Sequence, residues 1–313
     1  MRSIILTFLC WYALISVKAQ TNYIPYYQKW LKVESLALED QMEAAEKLIL
    51  ECFDSHEAAF ATDLVLAAQI SAITGHDSLS FLWIEKALKR GVKYSCFKAM
   101  EVFKEMQSKP QWDTLQSKVK RLEYEYASAI RLDLNKEFMQ RFYLEQEAKS
   151  KPTYEDVVTS NFNRIREITQ SIGFPGERLV GLDISNDTES VRNCYYGNGK
   201  ITVTFLHHPY AFSLLHKELL AAVKSGDLAP DDFLYIYSFE RRKVSALYPK
   251  ARKIALEIVD YDYLLGGKDL TDQEINQINA ARFEFGLGPL KTQVDRDNRK
   301  AIFDRYGILV GGF

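Results

Sequence analysis

Three of the five histidines of this chain lie close together, in the segment FLHHPYAFSLLHKELL at 205–220. Two histidines that bind one zinc ion from the same helix are four residues apart, which places them about 6 Å from each other on one face. His208 and His216 are eight residues apart, a helical rise of about 12 Å, which is too far for a shared ion. His207 and His208 are adjacent and point to opposite sides of an extended segment. The spacing therefore predicts no metal site in this segment.

Acid–base chemistry is the second role open to these histidines. A helix start at His207 or His208 would lower the pKa of the ring and offer free N–H groups to an anion. Glu240 or Arg241, on the following predicted helix, could orient an imidazole or clamp a carboxylate or phosphate. The alternative is structural, with one histidine packing against Phe174 and the other facing water. We expect the structural role, because the chain has no GxSxG nucleophile elbow; it also has no glycine-rich phosphate loop, so no cofactor is predicted.

The elements that must position these residues differ between the two halves of the chain. Residues 20–150 read as helix almost throughout, with apolar residues at helical spacing, as at Leu38, Met42, Ala45, Ile49 and Phe53. One helix is predicted over about 57–74, and Gly75 begins a turn. The next helix, 79–89, ends before Gly91, a glycine suited to the position after a helix C-terminus.

The stretch AAQISAITGHDSLSFLWIEKALKRG at 67–91 resembles a tetratricopeptide-type helix pair. Gly75 holds the turn, Ile84 the bulky position and Ala87 the small position where the helices come close. Ser80 stands where that family usually has alanine, and no proline ends the unit. The resemblance implies a helical array that binds a peptide or protein partner. It assigns four residues to repeat packing or to the groove: Leu64, Ala68, Ile84 and Ala87. An ordinary helical bundle is the alternative.

The C-terminal half, residues 151–292, contains the strongest hairpin signal in the chain. Asn198-Gly199 lies between the aromatic pair Tyr195-Tyr196 and the β-branched run Ile201-Thr202-Val203. Helices are predicted after it. We therefore expect a small α+β domain with a short β-hairpin just before the histidines.

Several short elements of this half occur in a characteristic order. They are Gly173-Phe174-Pro175, Val180-Gly181, His207-His208, Glu240-Arg241 and AARFEFGLGPL at 280–290. Over about 135–292 the chain in this respect resembles a bacterial family of unknown function. Pro209 follows the histidines where that family has alanine, and Glu240 stands where it has aspartate. The resemblance implies architecture far more than chemistry.

The first nineteen residues, MRSIILTFLCWYALISVKA, are typical of an export signal. Arg2 precedes an apolar run of about 14 residues, and cleavage is predicted between Ala19 and Gln20. The run is shorter than the roughly 20 residues that span a bilayer, so we expect a periplasmic or extracellular protein that is not membrane-bound after cleavage. Cleavage removes two positive charges and no acidic residue, which changes the formal net charge from −2 to −4. A mildly acidic chain lacks the basic face that nucleic acid requires.

The mature chain would keep Cys52, Cys96 and Cys194, an odd number. No CxxC motif and no Cys/His cluster with zinc spacing occurs. Cys52 and Cys96 could form a disulfide if the helices that carry them are neighbours.

These observations predict a signal peptide at 1–19, a helical tetratricopeptide-like domain at 20–150, an α+β domain at 151–292 and a C-terminal tail at 293–313. The first functional prediction is an exported protein- or peptide-binding or scaffolding module. The alternative is a hydrolase- or transferase-type enzyme, which would need His207 or His208 to converge with Glu240 or Arg241 in one cleft.

Overall fold

The computed structural model describes residues 22–183, 197, 199–247, 271–290 and 293–308. These residues form fourteen α-helices and contain no β-strand. In the N-terminal half the helices are α1 (Ile24–Leu38), α2 (Met42–Ser55), α3 (Ala61–Ile73), α4 (Asp77–Lys89), α5 (Tyr94–Ala99), α6 (Pro110–Ala129) and α7 (Leu132–Ala148). In the C-terminal half they are α8 (Tyr154–Ile172), α9 (Glu177–Val180), α10 (Gly199–Leu206), α11 (Ala211–Ser225), α12 (Pro230–Leu247), α13 (Asp272–Glu284) and α14 (Gln293–Tyr306). The predicted signal peptide lies outside the described residues.

The N-terminal helices pack in sequential pairs. Helix α1 packs against α2, α3 packs against α4, and α4 also contacts α6. Every residue of α3 from Leu64 to Ser71 is buried, because this helix is apolar around almost its whole circumference. Ser80 approaches α3 closely and donates a 2.8 Å hydrogen bond from its hydroxyl to the carbonyl oxygen of Ala68. This bond explains how serine fits at a position where close helix packing favours alanine.

The C-terminal helices continue the same apolar core. Helix α10 packs against α7, α8 and α12, and α11 packs against α12. The buried core cluster contains residues from both halves of the chain. Tyr27 of α1, for example, donates a 3.1 Å hydrogen bond to the carbonyl oxygen of Val223 in α11. Tyr306, in the segment predicted as a tail, donates a 2.6 Å hydrogen bond to the carboxylate of Asp40.

Residues 173–183, which we call the strap, run between the two halves. The Leu179 carbonyl accepts a 2.7 Å hydrogen bond from the backbone N–H of Arg131. The side-chain amide of Asn135 donates to the carbonyls of Val180 and Leu182 at 2.7 and 2.9 Å. Gly181 has a φ of 81°. Any Cβ there would overlap the hydroxyl of Tyr126, so both the backbone and the space require glycine.

The prediction of a mainly helical chain is confirmed, but the prediction of an α+β domain with a β-hairpin is wrong. Gly199 does not sit in a hairpin turn; it begins α10, which contains the run Ile201-Thr202-Val203. The carboxylate of Asp183 accepts a 3.0 Å hydrogen bond from the N–H of Lys200 at the start of this helix. Ile201 and Phe205 are buried in the core. Burial against neighbouring helices therefore overrides the strand preference of β-branched residues. Tyr195-Tyr196 and Asn198, the other parts of the hairpin prediction, lie outside the described residues.

The cysteines of the N-terminal half do not pair with each other. Cys96 is disulfide-bonded, whereas Cys52 is a free, buried thiol. Burial raises the pKa of the Cys52 thiol to about 12, so it stays protonated at neutral pH.

No helix in the described part of the chain combines the length and the apolar character that a bilayer crossing requires.

Candidate functional site

His207 follows the last residue of α10 and contacts a carboxylate from another helix. Its Nδ1 atom makes a short hydrogen-bonded contact with Oε1 of Glu145 in α7. The side chain of Glu145 is 0% exposed and that of His207 is 12% exposed. A carboxylate on Nδ1 fixes the orientation of an imidazole.

The second carboxylate oxygen of Glu145 is held by α8. It accepts a 2.7 Å hydrogen bond from Nδ2 of Asn161, and Oδ1 of Asn161 accepts a 3.3 Å bond from Arg141. The ring of Tyr154 lies beside His207, with 6.4 Å between the ring centroids. Burial raises the pKa of the Tyr154 hydroxyl, and the charge of Glu145 raises it further. Glu145, His207 and Asn161 therefore form a cluster that joins α7, α8 and the end of α10.

His208 has a different environment from its neighbour. Its ring stacks on Phe162 at 4.0 Å with an interplanar angle of 13°. Its Nδ1 accepts a 3.3 Å hydrogen bond from the backbone N–H of Tyr210. These contacts fix His208 within the turn that connects α10 and α11.

Glu240 of α12 caps the start of α11. Its carboxylate accepts a 3.0 Å hydrogen bond from the backbone N–H of Ser213 and a second, short bond from the Ser213 hydroxyl. The first amides of a helix lack partners within the helix and carry a positive partial charge, which a carboxylate satisfies. Arg241 lies 5.7 Å from the ring centroid of Tyr237. The carboxylate that contacts His207 is thus that of Glu145, while Glu240 holds Ser213.

Glu145 and Asn161 were not identified from the sequence. Glu145 lies seven residues after Phe138, on the buried face of α7, and both are buried. A carboxylate on the buried stripe of α7 was the available signal, because such a group needs a buried polar partner.

The four residues assigned to repeat packing or a groove are all inside the core. Leu64 and Ala68 of α3 and Ile84 and Ala87 of α4 are buried. They pack between the two helices, so a binding surface must use other residues.

A shallow depression with a volume of about 570 Å³ lies on the surface of α7 and α8. It is lined by Arg141, Asp156, Thr159, Ser160, Asn163, Arg164 and Glu167. Arg164 donates to both oxygens of Glu137, at 2.9 and 3.0 Å, and Arg141 donates to the same carboxylate at 2.8 Å. Arg164 also donates a 2.9 Å bond to Glu167, so the two guanidinium groups are paired with two carboxylates within the protein.

Within the described ranges, no group of three or more histidine, cysteine, aspartate or glutamate side chains is arranged to hold a metal ion.

Comparisons of the chain with protein-family models, with curated proteins and with solved structures found no match.

Proposed function

We propose that this protein is an exported helical module that binds a protein or peptide partner. The observation that carries the proposal is an exposed apolar surface on α7. Phe142, Tyr143 and Leu144 are consecutive, and a helix cannot turn three consecutive residues toward one core. Tyr143 and Leu144 are 50% and 51% exposed. Adjacent large apolar side chains on a surface are typical of binding sites, and tyrosine is enriched among residues that dominate binding energy.

A basic residue lies beside this surface. The Lys200 ammonium is 5.4 Å from the ring centroid of Tyr143 and 5.9 Å from that of Phe142. An apolar patch with an adjacent lysine suits a peptide that carries both an apolar and an acidic side chain.

The proposal of export is supported by the disulfide at Cys96. Structural disulfides persist in oxidising compartments and are rare in reducing ones. The leader-like first nineteen residues point to the same compartment.

Peptide selection on the mature protein tests the binding function. We expect a displayed peptide library to yield sequences that bind residues 20–313, and the double variant Tyr143→Ser/Leu144→Ser to weaken their binding by about tenfold or more. Leu82→Ser is the matched control, because Leu82 is another exposed leucine, on α4, and we expect it to leave binding unchanged. If no sequences are enriched, or if the double variant binds them as the wild type does, the α7 surface is not the binding site.

Acid–base catalysis at His207 is the second candidate function. It is favoured by one observation, the contact between Nδ1 of His207 and the fully buried carboxylate of Glu145. A carboxylate on Nδ1 fixes the orientation of the imidazole, as general acid–base catalysis requires. Hydrolysis of ester and phosphate substrates should be assayed between about pH 6 and 8 with the wild type and His207→Gln. Activity that disappears in His207→Gln supports this candidate, and an inactive wild type removes it.

A further inference from the structure

The depression between α7 and α8 is lined by one face of α8. The spacing of the lining residues is i, i+3, i+4, i+7 and i+11, which places side chains on the same side of a helix. The volume of the depression, about 570 Å³, lies within the range of about 300–1,000 Å³ that is usual for small-molecule sites. The α8 residues with this spacing are Asp156, Thr159, Ser160, Asn163 and Glu167, and all of them are exposed.

Most of these α8 side chains have no hydrogen-bond or ion-pair partner among the described residues. Elsewhere on the same helix, Thr169 donates a 2.8 Å hydrogen bond from its hydroxyl to the carbonyl oxygen of Ile165, as helical threonine often does. At the depression, hydroxyl, amide and carboxylate groups are instead available to a ligand. The side chains without a partner are those of Asp156, Thr159, Ser160 and Asn163.

The guanidinium groups at the depression are held in place by the protein. Glu137 accepts hydrogen bonds from both Arg141 and Arg164, and Glu167 accepts one from Arg164. Nη1 of Arg141 donates to Asn161, while Nη2 of Arg141 has no acceptor among the described residues. A ligand therefore meets a donor whose position is already fixed, which reduces the entropy lost on binding.

The charges and polarity of the depression favour a neutral polar ligand. Arg141 and Arg164 contribute two positive charges, and the carboxylates of Asp156, Glu167 and Glu137 contribute three negative charges. An anion or a cation would therefore lie close to groups of its own sign. An apolar ligand would remove water from charged, hydroxyl and amide groups without replacing the hydrogen bonds. A ligand with several hydroxyl groups replaces them, because a hydroxyl both donates and accepts.

We propose that the depression between α7 and α8 binds a neutral saccharide of one or two rings. The Asp156 carboxylate accepts from ligand hydroxyls, Nη2 of Arg141 donates to a ligand oxygen, and the Asn163 amide does both. Because the described lining contains no aromatic ring, the affinity depends on hydrogen bonds exchanged with water, and we expect a Kd of about 1 mM or weaker. The site does not include Tyr143 or Leu144 and does not depend on the peptide-binding proposal.

A nuclear magnetic resonance titration of the mature protein tests the site. The saccharide probes are glucose, galactose, mannose, N-acetylglucosamine, maltose and lactose, each up to about 50 mM. We expect at least one of them to shift the backbone amide resonances of 156–167 in a saturable way. Inorganic phosphate and putrescine are the charged probes and should leave these resonances unchanged at matched ionic strength. The proposal is overturned if no saccharide shifts them, or if a charged probe binds there as tightly as the best saccharide.

Two variants locate the bound saccharide. The side chains of Asp156 and Asn163 are exposed and have no partner among the described residues, so Asp156→Ala and Asn163→Ala should fold as the wild type does. We expect each variant to bind the saccharide about tenfold more weakly or worse. Glu155→Ala is the matched control, because Glu155 is exposed beside Asp156 but lies outside the lining, and it should bind as the wild type does. Wild-type affinity in both test variants would contradict the proposal.

Discussion

The carboxylate of Glu145 contacts Nδ1 of His207 and is itself fully buried. The second oxygen of the same carboxylate is held by Asn161. Both interactions cross between helices, so the cluster fixes the end of α10 against α7 and α8. A buried carboxylate is stable only when such partners satisfy it, and its removal takes these interactions from the core.

Replacing Glu145 with alanine should therefore destabilise the protein. The change removes the carboxylate that contacts His207 and that accepts from the buried amide of Asn161, and it opens a cavity, so we expect a loss of about 2–5 kcal/mol in the free energy of unfolding. Urea denaturation followed by far-UV circular dichroism measures it. Glu147→Ala, an exposed position on the same helix, is the control and should change stability by less than about 0.5 kcal/mol. Equal midpoints for the two variants would contradict the structural role of Glu145.

The stability of the protein should fall as the pH rises from about 5 to about 8. The pKa values of Glu177, Asp232 and Asp63, at about 8, 7 and 6, are raised above their ordinary values. The folded state therefore binds more protons than the unfolded state over this range. Its extra stability is complete below about pH 4 and is lost as the pH passes through the folded-state pKa values. Urea midpoints measured at several pH values test the sign, and midpoints that rise toward pH 8 would show that it is wrong.

Gly181 is required in the strap for two reasons, its positive φ and the lack of space for a Cβ, and two variants can separate them. Gly181 and Gly75 have similar positive φ angles, 81° and 78°. A Cβ at Gly75 would meet no atom within 4 Å, whereas one at Gly181 would overlap Tyr126. Gly75→Ala should therefore cost only the backbone strain, about 1 kcal/mol, and Gly181→Ala should cost at least about 1–2 kcal/mol more. Thermal unfolding of the two variants measures the difference, and similar melting temperatures would argue against the close packing of the strap on Tyr126.

The two cysteines of the N-terminal half should differ in their reaction with a maleimide. Cys52 is a buried free thiol with a pKa of about 12, and Cys96 is disulfide-bonded. In the native protein neither should react. Urea without a reductant should expose Cys52 alone, and labelling of Cys96 should also require a reductant, as peptide mass spectrometry can determine. Labelling of Cys96 in urea alone would contradict its assignment.

The sequence predicted a helical N-terminal half because its apolar residues recur at helical spacing, although the stripe from Leu38 to Phe53 spans two helices, α1 and α2. The predicted helix 79–89 differs from α4 only in its start, at Asp77. The turn at Gly75 is also present, with the positive φ that glycine allows. The helix and the turn are determined by residues close to each other in the sequence, and a local sequence pattern contains that information.

The errors occur where a distant residue decides the structure. Ile201-Thr202-Val203 has a strand-like composition, yet Asp183 caps the helix that contains it and the core buries it. Glu240 was one possible partner of a histidine; in the structure it caps α11 through Ser213, an arrangement that depends on how α12 packs. The partner of His207, Glu145, is 62 residues away, and no local pattern connects the two. The domain boundary at 150 and both family resemblances stay predictions.

The hydrogen bond between Glu177 and Ala61 joins residues that are 116 positions apart. A ribosome adds about 5–20 residues per second, so many seconds separate the synthesis of α3 from that of its cap. During that interval the backbone N–H of Ala61, at the amino end of α3, lacks its carboxylate acceptor. Contacts of such long range also raise the contact order and slow folding. An incomplete chain that ends before the strap leaves this helix end uncapped, and we expect it to be more exposed to proteases than the complete protein.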